Sequence, residues 1–122
     1  MLKRLDHLAV VTADLTEAVS TYQRNFDFKV VRSADGNAAS IRVGDSEIRL
    51  LSGAPAAEAI AQAGEGMFAL WLEAADVEPV AAALRKSGID PGAIQNERGR
   101  RILAIDPKYA NQVPLFIFDR KG

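Results

Sequence analysis

A chain of 122 residues is the size of one ordinary domain, and 48% hydrophobic against 25% charged residues is a globular balance that excludes a disordered polymer. Fifteen basic and sixteen acidic residues leave a net charge of −1, which offers no broad field for nucleic acid or an anionic membrane. The absence of cysteine removes disulfides, thiolate metal sites and a cysteine nucleophile.

The opening Met1-Leu2-Lys3-Arg4-Leu5-Asp6-His7 meets charge before any apolar run develops, so it does not read as a secretory signal. No stretch approaches the roughly 20 apolar residues of a membrane span. A cytoplasmic protein is the expectation. From Leu5 an apolar strand runs to Ala13-Asp14, where Asp14 is a helix N-cap with Glu17 three residues later, as in a capping box. The helix stripe is Leu15, Ala18, Val19, Tyr22 and Phe26. Strand signals follow over Phe28–Ser33, Ala38–Val43 and Glu47–Leu51, separated by turns at Asp35-Gly36 and Gly44-Asp45. An alanine- and glycine-rich linker, Gly53–Gly66, holds a short helix over Ala56–Ala63.

From Met67 the grammar repeats. A shift that pairs Leu8 with Leu70 also pairs Val10 with Leu72, Ala13 with Ala75 and Asp14 with Asp76. Asp76 caps a second helix with Pro79 in its first turn, stripe Val77, Val80, Ala81 and Leu84, and Gly88 just past its end. Strands are expected over Ala93–Gln95, Arg101–Ile105 and Val113–Phe118, with a turn at Arg98-Gly99. Each half is then a βαβββ module. The fold class is α+β: one domain over 1–122, built from module one (1–52), linker (53–66) and module two (67–122). Neither module buries its own sheet face alone, so the two are expected to form a curved, half-open mixed β-sheet barrel with helices on the outer face.

Period-two alternation assigns His7, Glu47, Arg49, Ala69, Trp71, Glu73, Phe116 and Phe118 to the concave face, and the uniformly aliphatic positions to the face under the helices. An apolar, aromatic hollow with a few polar groups suits a small-molecule ligand. The alternative, that Trp71, Phe116 and Phe118 fill the hollow or cover a dimer contact, stays open. No P-loop, dinucleotide-binding glycine pattern, Gly-x-Ser-x-Gly or His-Glu-x-x-His occurs.

Leu5-Asp6-His7-Leu8-Ala9-Val10, with Asp14-Leu15, Ala18 and Tyr22, then Gly64-Glu65-Gly66-Met67 and Asp106-Pro107-Lys108-Tyr109-Ala110-Asn111, resembles the glyoxalase/bleomycin resistance/extradiol dioxygenase (vicinal oxygen chelate) superfamily. The last run is similar to its methylmalonyl-CoA epimerase branch. The resemblance covers nearly the whole chain. It implies a metal ligand on the first and last strand of each module, and a homodimer. Of those four positions only His7 matches; the others hold Arg49, Ala69 and Phe116. One ligand of four does not hold a divalent ion, and a guanidinium repels it, so no metal and no other cofactor are expected. A displaced site of His7, Glu47 and Glu73 is the alternative.

Among the remaining polar groups, His7 is either a structural hydrogen-bonding residue or a base. His7, Glu47 and Glu73 are the catalytic candidates. Arg49 in an apolar hollow needs an anion, either an internal glutamate or a ligand carboxylate or phosphate. Trp71 is a core residue or a stacking platform. Arg98-Gly99-Arg100-Arg101 with Lys108 is a basic cluster that is either solvated surface or, in an epimerase-like protein, a contact for CoA phosphates. The ligand-binding set is therefore His7, Arg49, Trp71, Phe116 and Phe118. The leading reading is a metal-independent binder of a small anionic or aromatic molecule, as in the drug-sequestering resistance proteins. The alternatives are a lyase or isomerase of glyoxalase or epimerase type, and an interaction domain with a filled cavity.

Overall fold

The computed structural model describes residues 2–26, 29–110 and 113–122. Phe28, the expected start of a strand, and Asn111 of the family-like run lie outside the described residues. In chain order the elements are β1 (Leu2–Val11), α1 (Leu15–Phe26), β2 (Val30–Arg32), β3 (Ala38–Val43), β4 (Ser46–Leu51), α2 (Ala54–Ala63), β5 (Gly66–Ala74), α3 (Val77–Lys86), β6 (Gln95–Glu97), β7 (Arg100–Ile105), a 3-10 turn (Pro107–Tyr109) and β8 (Leu115–Asp119). They fall into two compact units: His7–Phe68, and residues 2–6 with Ala69–Gly122.

In the unit His7–Phe68 the strand order is β2-β3-β4-β1. β1 runs parallel to β4, with Leu8 opposite Ile48, and β4 is antiparallel to β3. The Gly44-Asp45 turn joins them as a two-residue hairpin with Val43 opposite Ser46, and Gly44 supplies the positive φ of 58° that the first position of a type II′ turn requires. The α1 stripe does what its spacing predicts: Leu15 and Val19 pack on Ala39, Ile41 and Leu50, all buried. Its N-terminus is only half as expected. Asp14 Oδ1 accepts from the Glu17 N–H at 3.1 Å, but Glu17 does not return a bond; the Asp14 N–H donates to Thr12 Oγ1 instead, at 3.3 Å. Glu65, from the end of the linker, accepts from the Ala13 N–H at 2.7 Å and the Thr12 hydroxyl at 3.0 Å, so a distant carboxylate pins this junction.

In the second unit the order is β5-β8-β7-β6, again with the module's first strand parallel to its last (Leu70 opposite Leu115) and the other pairs antiparallel. Both βαβββ units thus share one wiring, which is how the repeated grammar expresses itself. Val77, Val80 and Ala81 of α3 bury against Leu103, Ile105 and Ile117. The helix ends as Gly88 predicts: with φ at 84°, Gly88 donates to Arg85 O and Ile89 to Leu84 O, the paired bonds of a Schellman motif. β6 lies two residues later than expected because the hairpin sets it: Glu97 faces Arg100, leaving Arg98 and Gly99 as the loop, with φ of 50° and 79°. Positive φ at both central residues is the type I′ requirement.

The start of α3 is held by more than its cap. Asp76 accepts from the Glu78 N–H at 2.9 Å. Asp119, at the end of β8 and fully buried, accepts from the Val77 N–H at 2.8 Å. Arg101 of β7 grips the same carboxylate with Nη2 at 2.6 Å and Nε at 3.1 Å, and also reaches Asp76 at 2.9 Å. A bidentate guanidinium plus backbone donors is what a buried carboxylate needs to remain ionised. Burial works to raise the Asp119 pKa, but Arg101 and the N–H groups of Val77 and Lys121 outweigh it and hold it at about 2, below the ordinary 3.8.

Two stability measurements follow from this wiring. Arg98→Asn, which tolerates the left-handed region better, should raise the unfolding free energy by about 0.5–1 kcal/mol in urea titration. Because folding lowers the Asp119 pKa, its contribution is complete above 3.8 and is lost as pH falls through about 2. Asp119→Asn should therefore cost about 3–5 kcal/mol at neutral pH and flatten the acid limb of the stability profile. An unchanged acid limb would show that another group controls it.

Candidate functional site

On the sheet face away from α1, the structure brings together three of the residues singled out in the sequence. The parallel β1–β4 register sets His7 beside Glu47 and Ala9 beside Arg49. His7 is buried, and Glu47 and Arg49 are half-buried. The anion that Arg49 needs is supplied internally: its Nε donates to Glu47 Oε2 at 3.0 Å, and Arg42 Nη1 donates to Glu47 Oε1 at 3.2 Å. The hydrogen bond from Arg49 holds the Glu47 carboxyl below its usual value against the opposing effect of burial. Glu47 is thereby a stable anion and a poor proton acceptor.

In the other unit, the face of β5, β8 and β7 away from α3 carries the aromatic group. Register sets Trp71 beside Phe116 and Glu73 beside Phe118. Trp71 and Phe116 stack, with ring centroids 4.4 Å apart and planes 14° from parallel, and Phe118 meets Trp71 edge-on at 6.1 Å. Phe118 is fully buried, whereas Trp71 and Phe116 stay half-exposed. The side chains therefore partly fill this face, yet leave an aromatic surface open. Phe116 also lines an open hollow of about 430 Å³ with Ala104, Pro91, Pro107 and the Asp90 and Asp106 rim.

Arginine completes the platform. The Arg100 guanidinium carbon lies 5.4 Å from the ring centroids of both Trp71 and Phe118, and that of Arg120 lies 5.3 Å from Phe118, all cation–π distances. Arg120 Nε also donates to Glu73 Oε2 at 3.2 Å, while Arg4 Nε donates to Glu73 Oε1 at 2.9 Å and Arg4 Nη2 to Asp6 at 2.8 Å. Arg120 closes the loop to Asp6 at 3.6 Å, and Lys3 stands 3.9 Å from Glu73. Glu73 and Asp6 are buried, so this ring of charges is a partly desolvated network, and Glu73 is committed to cations.

The sequence pattern did not reveal Arg4, Asp6 or Arg120 as part of any site, and offered Arg100 only within the Arg98–Arg101 basic run. Alternation through Arg100 and Arg101 was the available signal: the two side chains leave β7 on opposite faces, one to the aromatics and one to Asp119. The Arg98–Arg101 run is therefore not a single basic cluster. The donor set at the metal positions implied by resemblance is one imidazole, one guanidinium, one methyl and one phenyl, which does not fit a divalent ion. Among the described residues no group of three or more His, Cys, Asp or Glu side chains is found that could hold a metal ion. No helix among them is long and apolar enough to cross a membrane.

The sequence profile of the glyoxalase/bleomycin resistance protein/dioxygenase superfamily matches residues 4–121. No curated protein matches the chain. Among solved structures, methylmalonyl-CoA epimerase from Mycobacterium tuberculosis is similar at 21% identity and a TM-score of 0.76, over 99% of this chain and 90% of that one. A hypothetical protein from Bacillus halodurans gives 21% identity and a TM-score of 0.75, over 98% and 95%. A Streptomyces coelicolor methylmalonyl-CoA epimerase variant in complex with 2-nitronate-propionyl-CoA gives 22% and 0.73, over 98% and 95%. At these identities the likeness is one of fold.

The ionic ring makes its own prediction. Glu73→Gln removes the acceptor shared by Arg4 and Arg120, and should lower stability by about 2 kcal/mol in urea unfolding. A neutral result would mean that Glu73 is not what holds Arg4 and Arg120 in place.

Proposed function

The chain belongs to the glyoxalase/bleomycin resistance protein/dioxygenase superfamily, and from that premise we propose that it is a metal-independent binder of a small anionic or aromatic molecule. One observation carries the reading. Arg100 lies half-buried across two aromatic rings, and among the described residues no carboxylate pairs with it. A partly desolvated cation next to open aromatic surface is complementary to a planar anion. The residues at the metal positions that the resemblance implies, His7, Arg49, Ala69 and Phe116, support the same reading, because only the first is a metal donor.

Fold likeness to methylmalonyl-CoA epimerases favours a second reading, an isomerase. Such an enzyme needs a base near neutral pKa and an electrophile for the enolate. Glu47 is held below the ordinary carboxylate range by Arg49, and Glu73 is bound to two arginines. His7 is then the remaining base, and its burial places it away from bulk solvent.

Trp71 is the only tryptophan, so its fluorescence reports directly on the platform. Native mass spectrometry and elemental analysis of the purified protein should give no stoichiometric metal. A screen of small aromatic acids should find saturable fluorescence changes that survive EDTA and disappear in Phe116→Ala. Metal near one per chain with EDTA-sensitive binding, or proton exchange at the α-carbon of methylmalonyl-CoA, would overturn the binder reading in favour of an enzyme.

A further inference from the structure

Two loops of the second unit carry the same short device. In Asp90-Pro91-Gly92, between α3 and β6, Asp90 Oδ1 accepts from the Gly92 N–H at 2.9 Å. In Asp106-Pro107-Lys108, between β7 and β8, Asp106 Oδ1 accepts from the Lys108 N–H at 3.0 Å. Each is an aspartate turn stiffened by proline. Both turns line one hollow of about 430 Å³, together with Ala104 and Phe116, which stand opposite each other on β7 and β8. Trp71 stacks on Phe116, and the half-exposed remainder of that ring lines the hollow. No lysine or arginine side chain is part of the lining. Of the basic residues next to these loops, Arg85 lines a separate hollow with Asp90, and Lys108 holds its Nζ 5.0 Å from the Tyr109 ring centroid. Among the described residues no further hydrogen bond or ion pair engages either carboxylate.

We propose that this hollow binds a small organic cation, an ammonium group carried on an apolar body, with the charge at Asp90 and Asp106 and the body against Phe116, Pro91 and Pro107. The inference goes beyond the binder reading, because it assigns a second ligand, of positive charge, to a hollow that neither Arg100 nor Trp71 lines. The volume falls within the roughly 300–1,000 Å³ of small-molecule sites. An ammonium donates to carboxylates and is attracted to an aromatic ring, so Asp90, Asp106 and Phe116 all favour the same charge. A divalent metal ion is a poorer match: among the described residues no third carboxylate or imidazole joins the two aspartates, and proline and phenylalanine offer it nothing. An anion is excluded by the same wall, since the turn N–H groups of Gly92 and Lys108 are already committed to the aspartates. Those turns also fix both carboxylates before a ligand arrives, which reduces the entropy lost on binding.

The test titrates naphthylmethylammonium, the neutral naphthylmethanol and naphthoate by calorimetry. The ammonium should bind at a single saturable site, at least about tenfold more tightly than the alcohol. Asp90→Asn and Asp106→Asn keep an amide oxygen that accepts the turn N–H, so both should fold. Each should lower ammonium affinity by about threefold or more, and the double variant should remove the difference between ammonium and alcohol. If one single variant does not fold, the other decides, because both carboxylates are required. An ammonium that binds no better than the alcohol, or a preference that survives the substitutions, would overturn the proposal. Naphthoate bound with the ammonium unbound would overturn it and leave the binder reading standing. An ammonium bound as described, with no aromatic acid bound, would support it and overturn the anion reading instead. No binding by any of the three would overturn the proposal.

Discussion

The second unit is organised around the bond between Asp119 and Arg101. A carboxylate with no exposed surface stays charged only because a guanidinium and two backbone N–H groups meet it. The same contact orients three elements at once: it caps α3 at Val77, fixes β7 against β8, and anchors the start of the C-terminal residues at Lys121. Strand alternation then propagates the constraint. With Asp119 and Arg101 committed to the helix side, Phe118, Arg100 and Arg120 must leave on the other. A one-residue slip of β8 would turn Phe118 toward α3 and carry Asp119 away from the Val77 N–H, so the ion pair penalises the wrong register as well as stabilising the right one.

The carboxylates elsewhere follow a similar rule. Glu47 is held by Arg49 and Arg42, and Glu73 by Arg4 and Arg120, so the acids that looked available for proton transfer serve as counter-ions. Arg49 is the clearest case, since its sequence context allowed either an internal glutamate or a ligand, and Glu47 two residues away supplies the anion. Arg100 differs because it stacks where these acids do not reach. Charges balanced inside the protein contribute structure, and a charge left unbalanced beside a pocket is available to a ligand.

Much of the fold was legible because its signals are local. Turn dipeptides at Gly44-Asp45 and Arg98-Gly99, the caps at Asp14 and Asp76, and the stop at Gly88 each act within a few residues. The repeat that aligns Leu8 with Leu70 predicted two modules of one wiring. What could not be read was long-range charge pairing. Asp119 with the Val77 N–H and Glu65 with the Ala13 N–H join positions far apart in the chain, and no spacing rule selects those partners. The basic run at Arg98–Arg101 misleads for the same reason: sequence proximity suggests a cluster, while the pleat divides it. The aromatic half of the site, Trp71, Phe116 and Phe118, was visible through alternation, and its cationic half was not.

Arg49, Ala69 and Phe116 stand at the positions where the resemblance implies metal donors, and that bears on the proposed reading. A divalent ion both binds oxygens and lowers their proton affinity strongly, which is how it stabilises an enolate. A guanidinium binds oxygens with equal geometric discrimination but polarises them far less, because its charge is spread over three nitrogens and it forms no coordinate bond. Arg49 moreover donates its Nε to Glu47, so the guanidinium at that position already has an internal anion. Together with carboxylates held as counter-ions, this is what supports the proposal of a binder over that of an enzyme.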